Sequence, residues 1–181
     1  TTRDENYDTE EVAITSVTKG SFLVRSAFEL QVESLDALPL TRQTVNILLT
    51  NRDLVVGGQA VVRFTATELA YEEGSLELNS GIWSAGSPTV EVEAGDDSVA
   101  VRFYDLTGQT TVEAGGSGQV LLSLDFTLSS LLMVGDTSEI NVEGILATRD
   151  ENYDTEDVAA TGISGYIAVV EEVEPTEPEE Y

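Results

Sequence analysis

Apolar and polar residues alternate along most of this chain with a period of two, the pattern of strands that bury one face. In TVEVEAGDDSVAVRFYD, Val90 and Val92 fall on one side and Glu91 and Glu93 on the other; Gly95-Asp96-Asp97 supplies a turn, and Val99, Val101 and Phe103 resume the apolar side. That spacing predicts a hairpin. The runs QTVNILLTN, GGQAVVRFTAT, GSLELNS, GQVLLSLDFTL, SEINVEGILAT and SGYIAVVEE repeat it, each rich in Val, Ile, Leu, Phe or Thr and bounded by Gly, Asn, Asp or Ser. Roughly eight or nine short strands follow, the count of a two-sheet sandwich. Only ATELAYEEG and SSLLMVG offer a helical turn or two. The expected fold is all-β: an immunoglobulin-like or jelly-roll β-sandwich of about nine strands over residues 28–170, with an extra N-terminal strand segment over residues 1–27.

The extra segment repeats part of the domain. TRDENYDTEEVA (residues 2–13) returns as TRDENYDTEDVA (residues 148–159), identical at eleven of twelve positions. With one gap the likeness continues through Gly20 and Gly165 to Phe22-Leu23-Val24 and Ile167-Ala168-Val169. A surplus strand pair is marginal alone, because its backbone groups and apolar faces lack partners. It reads as the end of a preceding domain in a tandem array or as a donor strand for a neighbouring subunit, with an extra strand on the domain's own edge as the alternative. Either of the first two gives a head-to-tail contact, and one that does not close builds an open polymer. Residues 171–181, acidic with Pro175 and Pro178, predict an extended tail or linker. Opening on Thr1 rather than Met fits a processed or excised product.

Composition narrows the chemistry. There is no cysteine and no histidine, so thiolate, Ser-His and His-metal sites are excluded, and no catalytic residue is assigned. Asp and Glu number 34 against eight Lys and Arg, a formal net charge of −26. Such a surface repels phosphate backbones and anionic lipids, which argues against nucleic-acid partners. No apolar run approaches the roughly 18 residues of a membrane span, so membrane insertion is not expected. Among so many carboxylates no glycosidase pair stands out.

One acidic pattern has spacing. Asp4, Asn6 and Asp8, and again Asp150, Asn152 and Asp154, form D-x-N-x-D, in which alternate oxygens can wrap a hard cation. The sixth position is Thr9 or Thr155 rather than Gly and no Glu sits at the twelfth, so an EF-hand is rejected. A sandwich loop would complete the shell with Glu10 or Glu156, a backbone carbonyl and water. Calcium and a plain acidic surface loop both stand. Trp83 offers a sugar-stacking platform if Tyr71, Tyr104, Tyr153 or Tyr166 shares its face; core or rim packing is the competing expectation.

The order of elements resembles a cohesin-type module, a jelly-roll sandwich related to some carbohydrate-binding modules. The resemblance rests on QTVNILLTN with its closing Asn51, VVGGQAVVRFTAT opened by glycine, VAVRFYDLTG ending in Asp-x-Thr-Gly, the Gly-initiated GQVLLSLDFTL, and the final pair GDTSEINVEGILATRDENYD and SGYIAVV; LAYEEGSLEL only loosely echoes the family's Tyr-Asp and leucine strand. It implies an extracellular or cell-surface setting and a binding role in which a sheet face receives a calcium-loaded dockerin. No dockerin-contacting residue carries over to a numbered position. Three functions follow as expectations: a non-enzymatic extracellular structural protein forming a head-to-tail surface filament or tandem array; alternatively, a cohesin-like receptor for a dockerin-like partner; or a carbohydrate-binding module.

Overall fold

The computed structural model describes residues 2–3, 9–10, 28–149 and 154–172. Every described element is a strand except one 3-10 turn. β1 (Thr2–Arg3) and β2 (Thr9–Glu10) form an antiparallel ladder of their own. The main body contains β3 (Phe28–Val32), β4 (Leu35–Ala37), β5 (Arg42–Asn51), β6 (Leu54–Phe64), β7 (Leu69–Tyr71), β8 (Glu77–Leu78), the 3-10 turn Ser80–Ile82, β9 (Thr89–Ala94), β10 (Ser98–Tyr104), β11 (Gln119–Leu128), β12 (Thr137–Arg149), β13 (Thr155–Ile163) and β14 (Gly165–Val169). Counting β3–β4, β7–β8 and β13–β14 as bent single strands leaves nine.

The hydrogen-bonded path runs β7-β11-β5-β3-β13-β12-β6-β10-β9. One layer holds β7, β8, β11, β5 and β3; the other holds β9, β10, β6 and β12. β13 joins them, antiparallel to β12 and parallel to β3, and β14 continues it between β12 and β4. The layers meet through the apolar half of each alternation. Leu30, Val45, Ile47, Leu49, Leu122, Leu124 and Phe126 are fully buried on one side, facing Ala60, Val62, Val99, Val101, Phe103 and Leu146 on the other. Phe126 of β11 meets Phe64 of β6 edge to face at 5.0 Å, a contact that spans the layers.

The hairpin at residues 89–104 forms, with Val90 opposite Phe103 and Val92 opposite Val101. As an edge strand β9 is covered less, and Val92 is 45% exposed. The two stretches that offered a helical turn hold isolated turns and no helix. In ATELAYEEG a turn bonded to Thr65 leads into β7, whose Leu69 is buried while pairing with Leu128, so the sheet takes those apolar residues. SSLLMVG is two successive turns, closed by Leu132 N–H to Ser129 and Asp136 N–H to Met133. Trp83 does not form a sugar platform: it is 6% exposed and packs edge-on against Phe103 at 5.8 Å, because Val112 pins its backbone across the end of the sandwich.

Candidate partner-binding face

The outward half of the alternation on β10, β6, β12 and β13 makes a continuous surface. Register aligns it in rows: Tyr104, Gly57, Ala147 and Asp157; then Glu91, Arg102, Gln59, Ile145 and Ala159; then Glu93, Ala100, Val61 and Glu143. Small or apolar residues, Gly57, Ala147, Ile145, Ala159, Ala100 and Val61, run through the rows, with Arg102 and Gln59 among them and Glu91, Glu93, Glu143 and Asp157 at the margins. Ile145 stands 53% exposed near the centre. The face is dimpled by three depressions, of about 510 Å³ beside Gly57, Tyr104 and Arg149, about 250 Å³ between Gln59, Val61 and Ile145, and about 210 Å³ between Glu93, Ala100 and Arg102.

The charges at the rim are held in place. Arg63 reaches diagonally to Glu143 at 2.9 Å. Arg102 leans on the Gln59 amide at 3.4 Å, and the Tyr104 hydroxyl donates to Glu91 at 2.8 Å. That hydrogen bond pushes the Tyr104 hydroxyl above its ordinary value. Of the five arginine side chains among the described residues (Arg42, Arg52, Arg63, Arg102 and Arg149), three belong to this face, which marks it out on so acidic a chain.

One corner is built by the Asp-x-Thr-Gly turn. The Asp105 carboxylate accepts from the Thr107 N–H at 2.8 Å, from the Thr107 hydroxyl, and from the Gln109 and Thr110 N–H groups at 3.0 and 2.8 Å. These donors, the Thr107 N–H foremost, hold the carboxyl well below the usual carboxylate range. Arg149 donates to the Gly108 carbonyl at 2.8 Å and ties this turn to β12. Gly108 has φ +65°, a backbone conformation that glycine adopts without strain.

The metal candidates are not brought together within the described residues. Asp154 and Glu156 are exposed, the latter on β13, where its carbonyl accepts from the Thr148 hydroxyl at 3.2 Å. Glu10 lies on β2; Asp4, Asn6, Asp8, Asp150 and Asn152, like Tyr153, fall outside the described residues. Among the described residues no three acidic side chains cluster as a cation site. The outer face itself escapes sequence reasoning, because its residues lie on four separated strands, with exposed Ile145 and half-buried Val61 set among arginines.

No protein-family model and no curated protein matches the sequence. Solved structures do match. The chain is similar to the seventh ScaB type I cohesin of Pseudobacteroides cellulosolvens, at TM-score 0.66 and 16% identity over 85% of this chain and 98% of that one. It is similar to the sixth cohesin of Acetivibrio cellulolyticus scaffoldin B, solved in complex with a Cel5 dockerin mutant, at TM-score 0.60 and 16% identity over 80% and 99%. A non-cellulosomal cohesin from the archaeon Archaeoglobus fulgidus matches at TM-score 0.55 and 14% identity over 79% and 92%. With nine strands in this order and these matches along almost the full length of known cohesins, the chain has the cohesin fold.

Proposed function

We propose that this chain is a non-catalytic, extracellular cohesin-like receptor module, and that the outer face of β10, β6, β12 and β13 receives a dockerin-like protein. The observation that carries the proposal is the strip of Val61, Ile145 and Ala147 inside a polar rim that includes the Arg63–Glu143 pair and the Tyr104–Glu91 hydrogen bond, the layout of an interface centre and its border. Supporting it, cohesins of this fold from Acetivibrio cellulolyticus and Clostridium thermocellum have been solved in complexes with dockerins. The burial of Trp83 removes the motive for a carbohydrate module. Head-to-tail filament assembly draws no support from the fold, and the residues behind it, 1–27, lie mostly outside the described ones.

The test is a calorimetric panel of purified, calcium-loaded dockerin modules against this chain and two variants. Ile145→Arg places a long charge in the apolar centre and is expected to weaken the panel's tightest binder by about 30-fold or more, the loss of about 2 kcal/mol typical of a hot spot. Leu131→Arg, at an exposed turn away from the face, is expected to bind as the parent does. Equal affinity for parent and Ile145→Arg, or no binder in the panel, overturns the proposal.

A further inference from the structure

Hydrogen bonding closes the sandwich on one side only. β13 and β14 join the layers at the seam, and on the other side each layer ends in its own edge, β7 and β8 in one and β9 in the other. The first edge is interrupted, because residues 72–76 turn between β7 and β8. β9 runs unbroken through Thr89–Ala94 and pairs only with β10 among the described residues.

The ladder fixes which backbone groups of β9 are unused. The Gly95 N–H donates to the Ser98 carbonyl at 2.8 Å, and bonded and non-bonded pairs alternate along an antiparallel ladder. Thr89, Glu91 and Glu93 therefore bond to β10, whereas Val90, Val92 and Ala94 turn their N–H and C=O groups to the open edge. Side chains sort by the same alternation. Glu91 and Glu93 stand on the outer surface, and Val92 and Ala94 line a cleft of about 390 Å³ with Tyr71, Gly74 and Leu76 of the opposite layer. Exposed Glu73 borders the same cleft.

We infer that the β9 edge takes up an extended segment of a partner protein as an added strand, one in which Lys or Arg alternates with apolar residues. The backbone of such a segment satisfies the edge groups, and its apolar side chains enter the cleft. Its cationic side chains then fall beside Glu91 and Glu93, where opposite charges across a strand pair attract. A second copy of this chain fits badly. It sets glutamate against glutamate across the new pair and brings together two surfaces of formal charge −26. The carboxylates that bar a like strand thus admit an oppositely charged one. This inference goes beyond the docking proposal and does not depend on it, because it uses the backbone edge of β9 rather than the outer face.

The probe is a capped peptide in which Lys and Val alternate along its length, compared with one of the same composition in which the lysines form a single block. At a concentration about ten times its Kd, the alternating peptide is expected to slow amide exchange at Val90, Val92 and Ala94 by about tenfold, and to slow Glu91 and Glu93, already bonded to β10, less. Val92→Pro removes one edge N–H while leaving the β10 ladder its donors, and is expected to weaken the peptide by about tenfold. No binding of the alternating peptide, unchanged exchange at Val90, Val92 and Ala94, equal slowing by the block peptide, or a folded Val92→Pro that binds as the parent does overturns the inference. Should Val92→Pro fail to fold, the exchange pattern of the parent decides alone. Protection of these amides in the free parent that grows with its own concentration also overturns the inference, since the occupant is then a second copy.

Discussion

Asn51 closes β5 and is 2% exposed, yet its amide is fully used. Its Nδ2 donates to the carbonyls of Asp53 at 3.0 Å and Glu113 at 2.8 Å, and its Oδ1 accepts from Gln119 at 3.1 Å. One side chain thus fastens the β5–β6 turn to the loop before β11, which explains why the strand ends on this polar residue. Asp105 does similar work in the Asp-x-Thr-Gly turn, and its titration makes the work measurable. Its folded pKa lies below the unfolded value, led by the Thr107 N–H. Asp125 is lowered too, by the Thr44 hydroxyl first and then by Arg42. A depressed carboxyl contributes stability above its unfolded pKa of about 3.9, and that contribution is lost as pH falls through the folded value. Unfolding free energy from urea titrations is therefore expected to decline as pH drops below about 4. Asp105→Asn is expected to be less stable at neutral pH and to show a shallower acid decline. A decline as steep as the parent's removes Asp105 from this account.

Among the elements, the long strands are readable because one face of each is buried and the period of two survives, throughout β5 and β10 and in β11 beyond the irregularity at Leu121. β7, β8 and β4 were harder. Each has only two or three residues, too short for a period, and is held by partners distant in sequence: β7 and β8 by β11, and β4 by β14. The continuation of β14 back into β13 was visible only as a copy of the N-terminal segment; its exposed residues outnumber its buried ones because it lies at the seam of the two layers. The proposed docking face is hidden in the sequence because outward residues of β6, β10 and β12 look like any solvated strand face until register brings Gln59, Arg102 and Ile145 into one row. Residues 150–154 still carry a proposal of calcium, supported by the spacing of Asp150, Asn152 and Asp154 alone. Binding to the folded state alone raises stability by about 2.7 kcal/mol at a hundredfold excess over Kd. The melting temperature at low ionic strength is expected to rise with calcium and to lose that response in Asp154→Ala; a parent without the response rules the site out.

For the molecule as a whole, charge and shape point the same way. A net charge of −26 keeps copies of the chain apart and repels acidic partners, and the outer face sets Arg63, Arg102 and Arg149 among Glu91, Glu93, Glu143 and Asp157 around Val61, Ile145 and Ala147. The opposite layer is more polar along β5 and β11, where Arg42, Thr44 and Asp125 bond to one another, although half-buried Leu48 and Val120 pair on its outward side. The proposed docking surface is the face that carries the exposed Ile145. The most direct measurement is a hydrogen-exchange footprint of the chain with and without a bound dockerin module. The expected result is slowed exchange over residues 57–63, 100–104 and 143–149, with residues 42–51 and 119–128 unchanged. A footprint on β5 and β11, or a bound dockerin that leaves β6, β10 and β12 unaltered, would contradict the assignment of the face.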